Sequence, residues 1–220
     1  RHVLIHDFRA FTRGVTGLAA ILEEDYSHLL DKKGQQIIDE LANMGKQYDA
    51  QLKALALHLH LLMVEQPMRP FDVAAWLEQH SATLLANADP QPNLVVVGSL
   101  PQLYGMPTLL ETLLDSLITN AILFSQNQRQ AEIEISGYNQ EGNAILAIKD
   151  NGCGFDMRYH DKLFDYFLRL PIAGIKSAGV GMGLPKAKQI VERHAGQIWA
   201  QSSVGQGATF YVSLPNGEKG

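Results

Sequence analysis

The sequence has very little cysteine and no excess of basic residues. Cys153 is the single cysteine among 220 residues, which excludes an internal disulfide and a cysteine-based zinc site. Lys and Arg number 18 against 23 Asp and Glu, so the net charge is −5, and no basic stretch is present. Because surfaces that bind nucleic acid are usually basic, we expect no nucleic-acid partner.

Long apolar runs and a targeting signal are also lacking. No run approaches the ~20 apolar residues of a membrane span, and no signal peptide is visible. We therefore expect no membrane segment in this chain and a cytoplasmic location. The chain starts at Arg1 without a methionine, which indicates a fragment of a longer protein.

Glycine is scarce in the first part of the chain. Only four of the 19 glycines lie in the first 90 residues, whereas eleven lie from position 150 onward. Glycine weakens a helix interior and permits backbone conformations that other residues avoid. This distribution predicts helices first, followed by glycine-rich loops on a sheet.

The N-terminal part carries two apolar patterns with the period of a helix. Both follow heptad spacing, apart from one four-residue irregularity in the second, and heptads are typical of helices that pack against partner helices. The first comprises Leu4, Phe8, Phe11, Val15, Leu18 and Leu22, and the second comprises Ile37, Leu41, Met44, Tyr48, Leu52, Leu55, Leu59 and Leu62. Asp31 is the expected N-cap of the second helix, and Pro67 and Pro70 end it.

Two helices alone cannot enclose both of these apolar seams. A four-helix bundle formed by homodimerisation would enclose them, and the alternative is a hairpin packed on its own C-terminal domain. We therefore predict an α+β protein in two parts. Residues 1–66 form the helical hairpin, and residues 67–220 form an α/β sandwich with helices on one face of a mixed sheet.

The second part alternates helical and strand patterns. Asp72 is expected to cap a helix that runs to residue 87, and Pro107 fits the first turn of a helix that runs to about residue 125. A third helix ends at His194. Strands are predicted at residues 94–97, 103–104, 131–137, 143–150, 197–202 and 209–214.

Three glycine motifs follow one another along this part. Residues 150–154 (DNGCG) end a strand, where the Asp150 carboxylate can accept a hydrogen bond from an adenine amino group. Residues 179–184 (GVGMGL) precede a helix, so that amide groups and the helix N-terminus can face phosphates. Residues 205–210 (GQGATF) precede the last strand. Each motif alone is a common turn, but their joint order is much more specific.

In this order the motifs resemble the catalytic ATP-binding domain of sensor histidine kinases, which shares a superfamily with DNA gyrase and MutL. The resemblance implies that ATP and Mg²⁺ are bound, with Asn120 as the magnesium ligand. It also implies a phenylalanine box at residues 163–170 and a mobile ATP lid at about residues 168–180. The nucleotide-binding residues that it implies are Asn120, Asp150, Gly152, Gly154, Gly179, Gly181, Gly183, Leu184 and Thr209.

Residues 6–9 (HDFR) resemble the phosphoacceptor histidine box of the same kinases. The heptad supports this independently, because it places Leu4 at position d, Phe8 at a and His6 at f, which faces solvent. A solvated surface histidine is the alternative. Residues 22–26 and 31–34 also resemble the hairpin of phytochrome-type kinases.

The resemblance implies the reaction as well. His6 and Asp7 are the catalytic residues: a neutral His6 nitrogen attacks the γ-phosphoryl group of ATP, and Asp7 acts as base or as orienting partner of the ring. The phosphoryl group then passes to an aspartate on the receiver domain of a response regulator. A sensor domain is expected upstream of this chain.

Three of the positions that depart from the family pattern bear on the reaction. Ser116 stands where a carboxylate or an amide helps to activate the reaction, Leu123 where a lysine meets phosphate, and Ala10 where a polar residue orients water. We expect that ATP binding is intact, that autophosphorylation is present but weak, and that phosphatase activity is poor. The alternatives are a nucleotide-binding pseudokinase that acts as a dimeric scaffold and a gyrase-like ATPase without phosphotransfer.

Overall fold

The computed structural model describes residues 2–63, 65–86, 88–168 and 180–217, without the side chains of residues 2–11, 57 and 60–62. The chain divides into two units, Arg1–Met63 and Val64–Gly220. The first unit is a helical hairpin of α1 (His2–Tyr26) and α2 (Lys32–Leu62), joined through a short 3-10 turn at Ser27–Leu29. Asp31 accepts a hydrogen bond from the Gly34 amide at 2.7 Å, which confirms the predicted cap of α2.

The two helices of the hairpin approach each other closely at Gly45 and Thr16. Ala19, Ile38 and Ala42 are buried, and a Cβ added to Gly45 would lie 2.4 Å from the Thr16 hydroxyl oxygen. Six large members of the two predicted heptad seams are exposed among the side chains that the structure describes. They are Leu18, Leu22, Ile37, Leu41, Met44 and Tyr48.

The second unit contains a five-stranded mixed sheet. Its helices are α3 (Val73–Leu85), α4 (Pro107–Ser125) and α5 (Gly183–Arg193). Its strands are β1 (Arg69–Phe71), β2 (Asn93–Val97), β3 (Leu103–Gly105), β4 (Glu132–Gln140), β5 (Asn143–Asp150), β6 (Gln197–Ser202) and β7 (Ala208–Pro215). The order in the main sheet is β2-β4-β5-β7-β6, with β2 and β4 parallel and the other pairs antiparallel.

The core of this unit lies between the sheet and its helices. Alternate residues of β7 are buried, as expected for a strand with one covered face. α4 contributes six fully buried apolar side chains, Leu109, Leu110, Leu113, Leu114, Leu117 and Ile118. The mixed sheet with N-terminal helices confirms the predicted fold class. Asp72 caps α3 and Pro107 opens α4, also as predicted.

Two features of the fold differ from the sequence prediction. β1 was not predicted, although it pairs antiparallel with β3 in a separate two-stranded sheet. α4 is long and apolar enough to cross a membrane by length and composition, whereas the sequence suggested no such segment. Half of that window is buried within the protein, which is how the core helix of a soluble domain passes the same test.

Candidate functional site

The centre of the candidate site is the carboxylate at the end of β5. Asp150 is only 2% exposed, and its Oδ1 accepts a hydrogen bond from the Gly152 amide at 2.8 Å. Burial raises the pKa of Asp150 to about 6, against the opposing effect of hydrogen bonds from the Gly152 and Ala208 amides. An acidic acceptor is therefore held in the interior where β5 ends.

Three glycines around Asp150 allow backbone segments to converge. A Cβ on Gly152 would lie 2.3 Å from the Phe124 carbonyl oxygen at the end of α4. Gly154 and Gly207 have φ values of +60° and +81°, and a Cβ on either would collide with a carbonyl oxygen. Glycine is therefore required here by the fold itself, because the ends of α4 and β5 and the β6–β7 turn meet at this point.

The N-terminus of α5 forms the second part of the candidate site. Met182, at the N-cap position, makes no side-chain capping bond. Among the described residues, the nearest atom to a Cβ added on Gly183 is the Ser116 carbonyl oxygen at 4.0 Å. The φ of Gly183 is not positive, so neither the described packing nor the backbone conformation requires glycine there. Unlike Gly152, Gly183 leaves room for a ligand to approach the first amides of the helix.

α4 carries two of the residues that depart from the family pattern, Ser116 and Leu123, and the Ser116 carbonyl faces the N-terminus of α5. Ser116 is buried, and its hydroxyl donates to the Thr112 carbonyl at 2.6 Å. Asn120 lies one turn further on and is partly exposed, as is Leu123. Lys186 of α5 lies within electrostatic reach of Asp115, which raises its pKa against the larger lowering effect of burial.

The structure does not bring Thr209 together with Asp150. In the sheet Asp150 pairs with Ala208, while Thr209 pairs with Lys149 on one side and Gln201 on the other. Because neighbouring residues of a strand face opposite sides of a sheet, the Thr209 side chain lies on the face away from Asp150. The Ala208 amide, not Thr209, donates a hydrogen bond to the Asp150 carboxylate. The sequence signal for the orientation of Thr209 was its position next to the core residue Phe210 in an alternating strand.

Several predicted site residues lie partly or wholly outside the described residues. The backbone of His6 and Asp7 belongs to α1, but their side chains are among those not described. Gly179 and most of the predicted lid also lie outside. Gly181 is described: its φ is +72° and its carbonyl accepts a hydrogen bond from the Phe167 amide at 2.9 Å. Leu184 is partly exposed in the first turn of α5.

The described part of the phenylalanine-box segment, residues 163–168, packs against α5. The Lys188 ammonium lies 5.8 Å from the centre of the Phe164 ring, and the Gln189 amide is hydrogen bonded to the Tyr166 hydroxyl. Phe167 adopts a positive φ of 61° where its amide meets Gly181. The helix that begins at the glycine motif thus also holds the segment that precedes it.

A buried histidine, which sequence reasoning gave no role, connects two helices of the unit. His194 Nε2 accepts the Met106 amide at 2.9 Å, and its Nδ1 contacts the Ile190 carbonyl at 2.7 Å. Since Nε2 is an acceptor, the proton lies on Nδ1, and burial lowers the pKa of the imidazole. His194 therefore fixes the end of α5 to the start of α4, at the helix that carries Asn120.

A buried acceptor at a strand end, glycine-built backbone crossings and an open helix N-terminus together define an ATPase-type nucleotide-binding unit. Residues 105–218 match the model of the histidine kinase-, DNA gyrase B- and HSP90-like ATPase family. The chain belongs to this family.

Curated relatives extend the similarity beyond the ATPase unit. The phytochrome-like protein Cph1 of Synechocystis sp. is 29% identical over 216 residues, which cover 98% of this chain and 29% of that protein. Cyanobacterial phytochrome A of Nostoc sp. is 31% identical over 231 residues, covering 98% and 28%. The sensor protein kinase WalK of Staphylococcus haemolyticus is 37% identical over 110 residues, covering 50% and 18%. The chain thus spans less than a third of the length of these relatives.

Solved structures share the fold. Full-length ShkA, crystallised with AMPPNP, aligns with a TM-score of 0.63 at 21% identity over 97% of this chain and 45% of that chain. The histidine kinase AdeS of Acinetobacter baumannii aligns with a TM-score of 0.61 at 20% identity over 97% and 98%. The chain is therefore a histidine kinase-type ATPase unit with N-terminal helices, homologous to phytochrome and WalK kinases.

Proposed function

We propose that this chain is the catalytic core of a two-component sensor histidine kinase. It binds ATP with Mg²⁺, autophosphorylates His6 and passes the phosphoryl group to an aspartate of a response-regulator receiver domain. The observation that carries the proposal is the buried Asp150 carboxylate beside its glycine crossings, in one chain with an apolar helical hairpin that bears His6.

The residues present suit the adenine and phosphate ends of ATP. Asp150 is an acceptor for the adenine amino group, and its raised pKa of about 6 still leaves it ionised at neutral pH. The first amides of α5, at Gly183 and Leu184, are donors for phosphate oxygens and lie at the positive end of the helix dipole. Gly179 and Gly181 belong to the same motif.

Asn120 is the proposed magnesium ligand, through its side-chain carbonyl oxygen. No cluster of three or more His, Cys, Asp or Glu side chains occurs in the described part of the chain, so the ion relies on Asn120 and on the phosphates. When bound, Mg²⁺ offsets negative charge on the phosphates during transfer.

His6 accepts the phosphoryl group through one neutral ring nitrogen, while Asp7 orients the ring or takes its proton. In this proposal residues 1–66 form the dimerisation and phosphotransfer hairpin and residues 67–220 the ATP-binding domain, and Gln66 at this boundary contacts Thr108 of the ATP-binding domain. The uncovered seam that includes Leu18 and Ile37 supports a homodimer, because a second copy would bury it. An upstream sensor domain and a cytoplasmic location complete the proposal.

Incubation with γ-labelled ATP and Mg²⁺ tests this function. We expect acid-labile label on the wild-type chain and none on His6→Gln, with both proteins binding nucleotide equally. Mixed dimers of His6 and Asn120 variants then assign transfer within or between chains. Label that persists in His6→Gln would contradict the assignment of the phosphoacceptor.

A pseudokinase scaffold is the second candidate, and one observation favours it. The Ser116 hydroxyl is buried and donates to the Thr112 carbonyl, so position 116 supplies no base. Nucleotide binding without any phosphohistidine would select this function. ATP hydrolysis that does not depend on His6 would instead select the gyrase-like alternative.

A further inference from the structure

The N-terminus of α4 is capped by residues distant in sequence. A helix begins with amide groups that lack intrahelical acceptors, and Ser, Thr, Asp or Asn usually satisfies one of them. Met106 occupies the N-cap position of α4 and makes no side-chain capping bond. Instead, the Gln66 Oε1 accepts the Thr108 amide at 3.3 Å, and the Gln66 Nε2 donates to the Thr108 hydroxyl at 2.9 Å.

The other amides at this end of α4 have partners of their own. Pro107 has no N–H, and the amides of Leu109 and Leu110 both donate to the Met106 carbonyl at 3.0 Å. The Met106 amide donates to His194. Of the amides in this turn, that of Thr108 is therefore the one that donates to Gln66.

Gln66 belongs to the segment that leads from α2 into the second unit. Three residues further on, β1 pairs with β3, which ends one residue before Met106. Gln66 and the β1–β3 pair thus attach this segment to the start of α4 from two directions. The same helix carries Ser116 and Asn120, on the part that faces the N-terminus of α5.

We propose that Gln66 is a positioning residue for the nucleotide site. By capping α4 it fixes the first turn of a stiff helix, and thereby the place of Asn120 about 18 Å further along the axis. The linker segment is then a working part of the nucleotide-binding unit. This inference rests on the proposed function, since Asn120 is the residue that it positions.

The test compares three variants of the whole chain by calorimetric titration with Mg²⁺ and AMPPNP. Gln66→Ala removes both hydrogen bonds, and we expect about fivefold weaker binding. Gln66→Glu keeps an acceptor for the Thr108 amide and can also accept from its hydroxyl, so affinity should return to within twofold of wild type. Gln35→Ala is the matched control, because Gln35 Nε2 donates to the Ser27 carbonyl at 2.9 Å in the hairpin.

Amide hydrogen exchange over residues 108–120 gives an independent readout. We expect faster exchange in Gln66→Ala and wild-type exchange in Gln66→Glu. Wild-type affinity and exchange in Gln66→Ala would overturn the positioning role while leaving the proposed function intact. If the wild-type chain binds no nucleotide, the proposed function fails, and the exchange pattern alone decides whether Gln66 holds α4. An equal loss of nucleotide affinity in Gln66→Ala and Gln66→Glu would also overturn the positioning role.

Discussion

The two units differ in how completely each buries its own apolar surface. In the ATPase unit, long runs of α4 and the sheet are fully buried between layers. In the hairpin, Ala19, Ile38 and Ala42 are the buried apolar residues among the described side chains, and larger ones such as Leu18 and Ile37 are more than half exposed. The ATPase unit covers its own core, whereas the hairpin leaves large apolar side chains exposed, which a second copy would cover under the proposed function.

Both units bury polar side chains. The hairpin buries the His58 imidazole, and the ATPase unit encloses the Asp150 carboxylate and the His194 imidazole, each of the latter two held by backbone groups. Burial of a carboxylate is unfavourable, as the raised pKa of Asp150 shows. The ATPase unit is therefore destabilised by the buried carboxylate at its site, whereas the hairpin lacks the stabilisation that burial of its exposed apolar side chains would add.

The largest expected effect comes from neutralising the buried carboxylate with Asp150→Asn. Nucleotide affinity should fall at least 100-fold, measured by calorimetric titration, because the adenine acceptor loses its charge. The unfolding free energy without nucleotide should rise by about 3 kcal/mol at pH 7, since a pKa raised from 3.8 to about 6 means that ionised Asp150 destabilises the fold. That penalty is absent well below pH 4 and complete above about pH 6.

Asp156→Asn is the matched control for this prediction. Asp156 is an exposed carboxylate whose pKa is lowered by its hydrogen bonds to Arg158, so its neutralisation should not stabilise the protein. Nucleotide affinity should stay within twofold of wild type. A stability loss in Asp150→Asn would show that the carboxylate supports the fold rather than the site.

The two neighbouring isoleucines of α2 sharpen the contrast between the units. Ile38 is 7% exposed within the hairpin and Ile37 is 57% exposed. Ile38→Ala should cost about 2 to 4 kcal/mol in the unfolding of the hairpin. If a second copy covers the seam, Ile37→Ala should cost a similar amount and raise the dimer dissociation constant about 100-fold, equivalent to ~2.7 kcal/mol.

Sedimentation measures the dimer dissociation constant, and helix unfolding at several protein concentrations measures the unfolding free energy of the hairpin. A dimer should make hairpin unfolding depend on concentration, while the ATPase unit unfolds independently of it. A wild-type chain that stays monomeric at high concentration, with Ile37→Ala indistinguishable from it, would break the comparison.

Local chemistry explains most of what the sequence predicted correctly. The caps at Asp31 and Asp72 and the start of α4 at Pro107 each depend on a few neighbouring residues. The mixed sheet followed from strand alternation between turn signals. The face that Thr209 takes could also be predicted from the sequence, because alternation along β7 places it opposite to the core residue Phe210.

Contacts between distant residues explain most of what was missed. β1 is three residues long and contains Pro70, so it exists only because β3 pairs with it. Gln66 meets Thr108 across 42 residues, and His194 meets Met106 across 88. No local pattern in a single sequence encodes such partners, and both pairs act on the same helix end.

The pH dependence of the ATPase unit tests the role of His194. Its pKa is lowered in the fold, so its contribution to stability is present above pH 6.5 and is lost as pH falls through the folded pKa. The loss reaches at most about 1.4 kcal/mol per pH unit. Asp150 acts in the opposite direction near pH 6, so the clean comparison is Asp150→Asn against Asp150→Asn with His194→Gln.

Chemical denaturation at several pH values between 7.5 and 5 measures this change of unfolding free energy with pH. We expect the single variant to lose stability as pH falls and the double variant to change less, although it starts lower because Gln fits the Met106 amide less well. Parallel curves would show that His194 stays neutral throughout, and the hairpin transition should not respond to the change.

The smallest expected effect lies at the end of α5, where the ATPase unit carries local strain. Ala195 adopts a φ of +54° directly after the helix, while the Gly196 amide donates to the Val191 carbonyl at 3.0 Å. A residue with a Cβ is disfavoured in this left-handed position, which glycine usually occupies. Ala195→Gly should therefore stabilise the ATPase unit by about 0.5 to 1 kcal/mol in thermal or chemical unfolding. The same change at Ala82, which is exposed within α3, should destabilise that unit by ~1 kcal/mol, because glycine weakens a helix interior. Losses of equal size at both positions would mean that the backbone at residue 195 stores no strain, and that the ATPase unit is destabilised only at its nucleotide site.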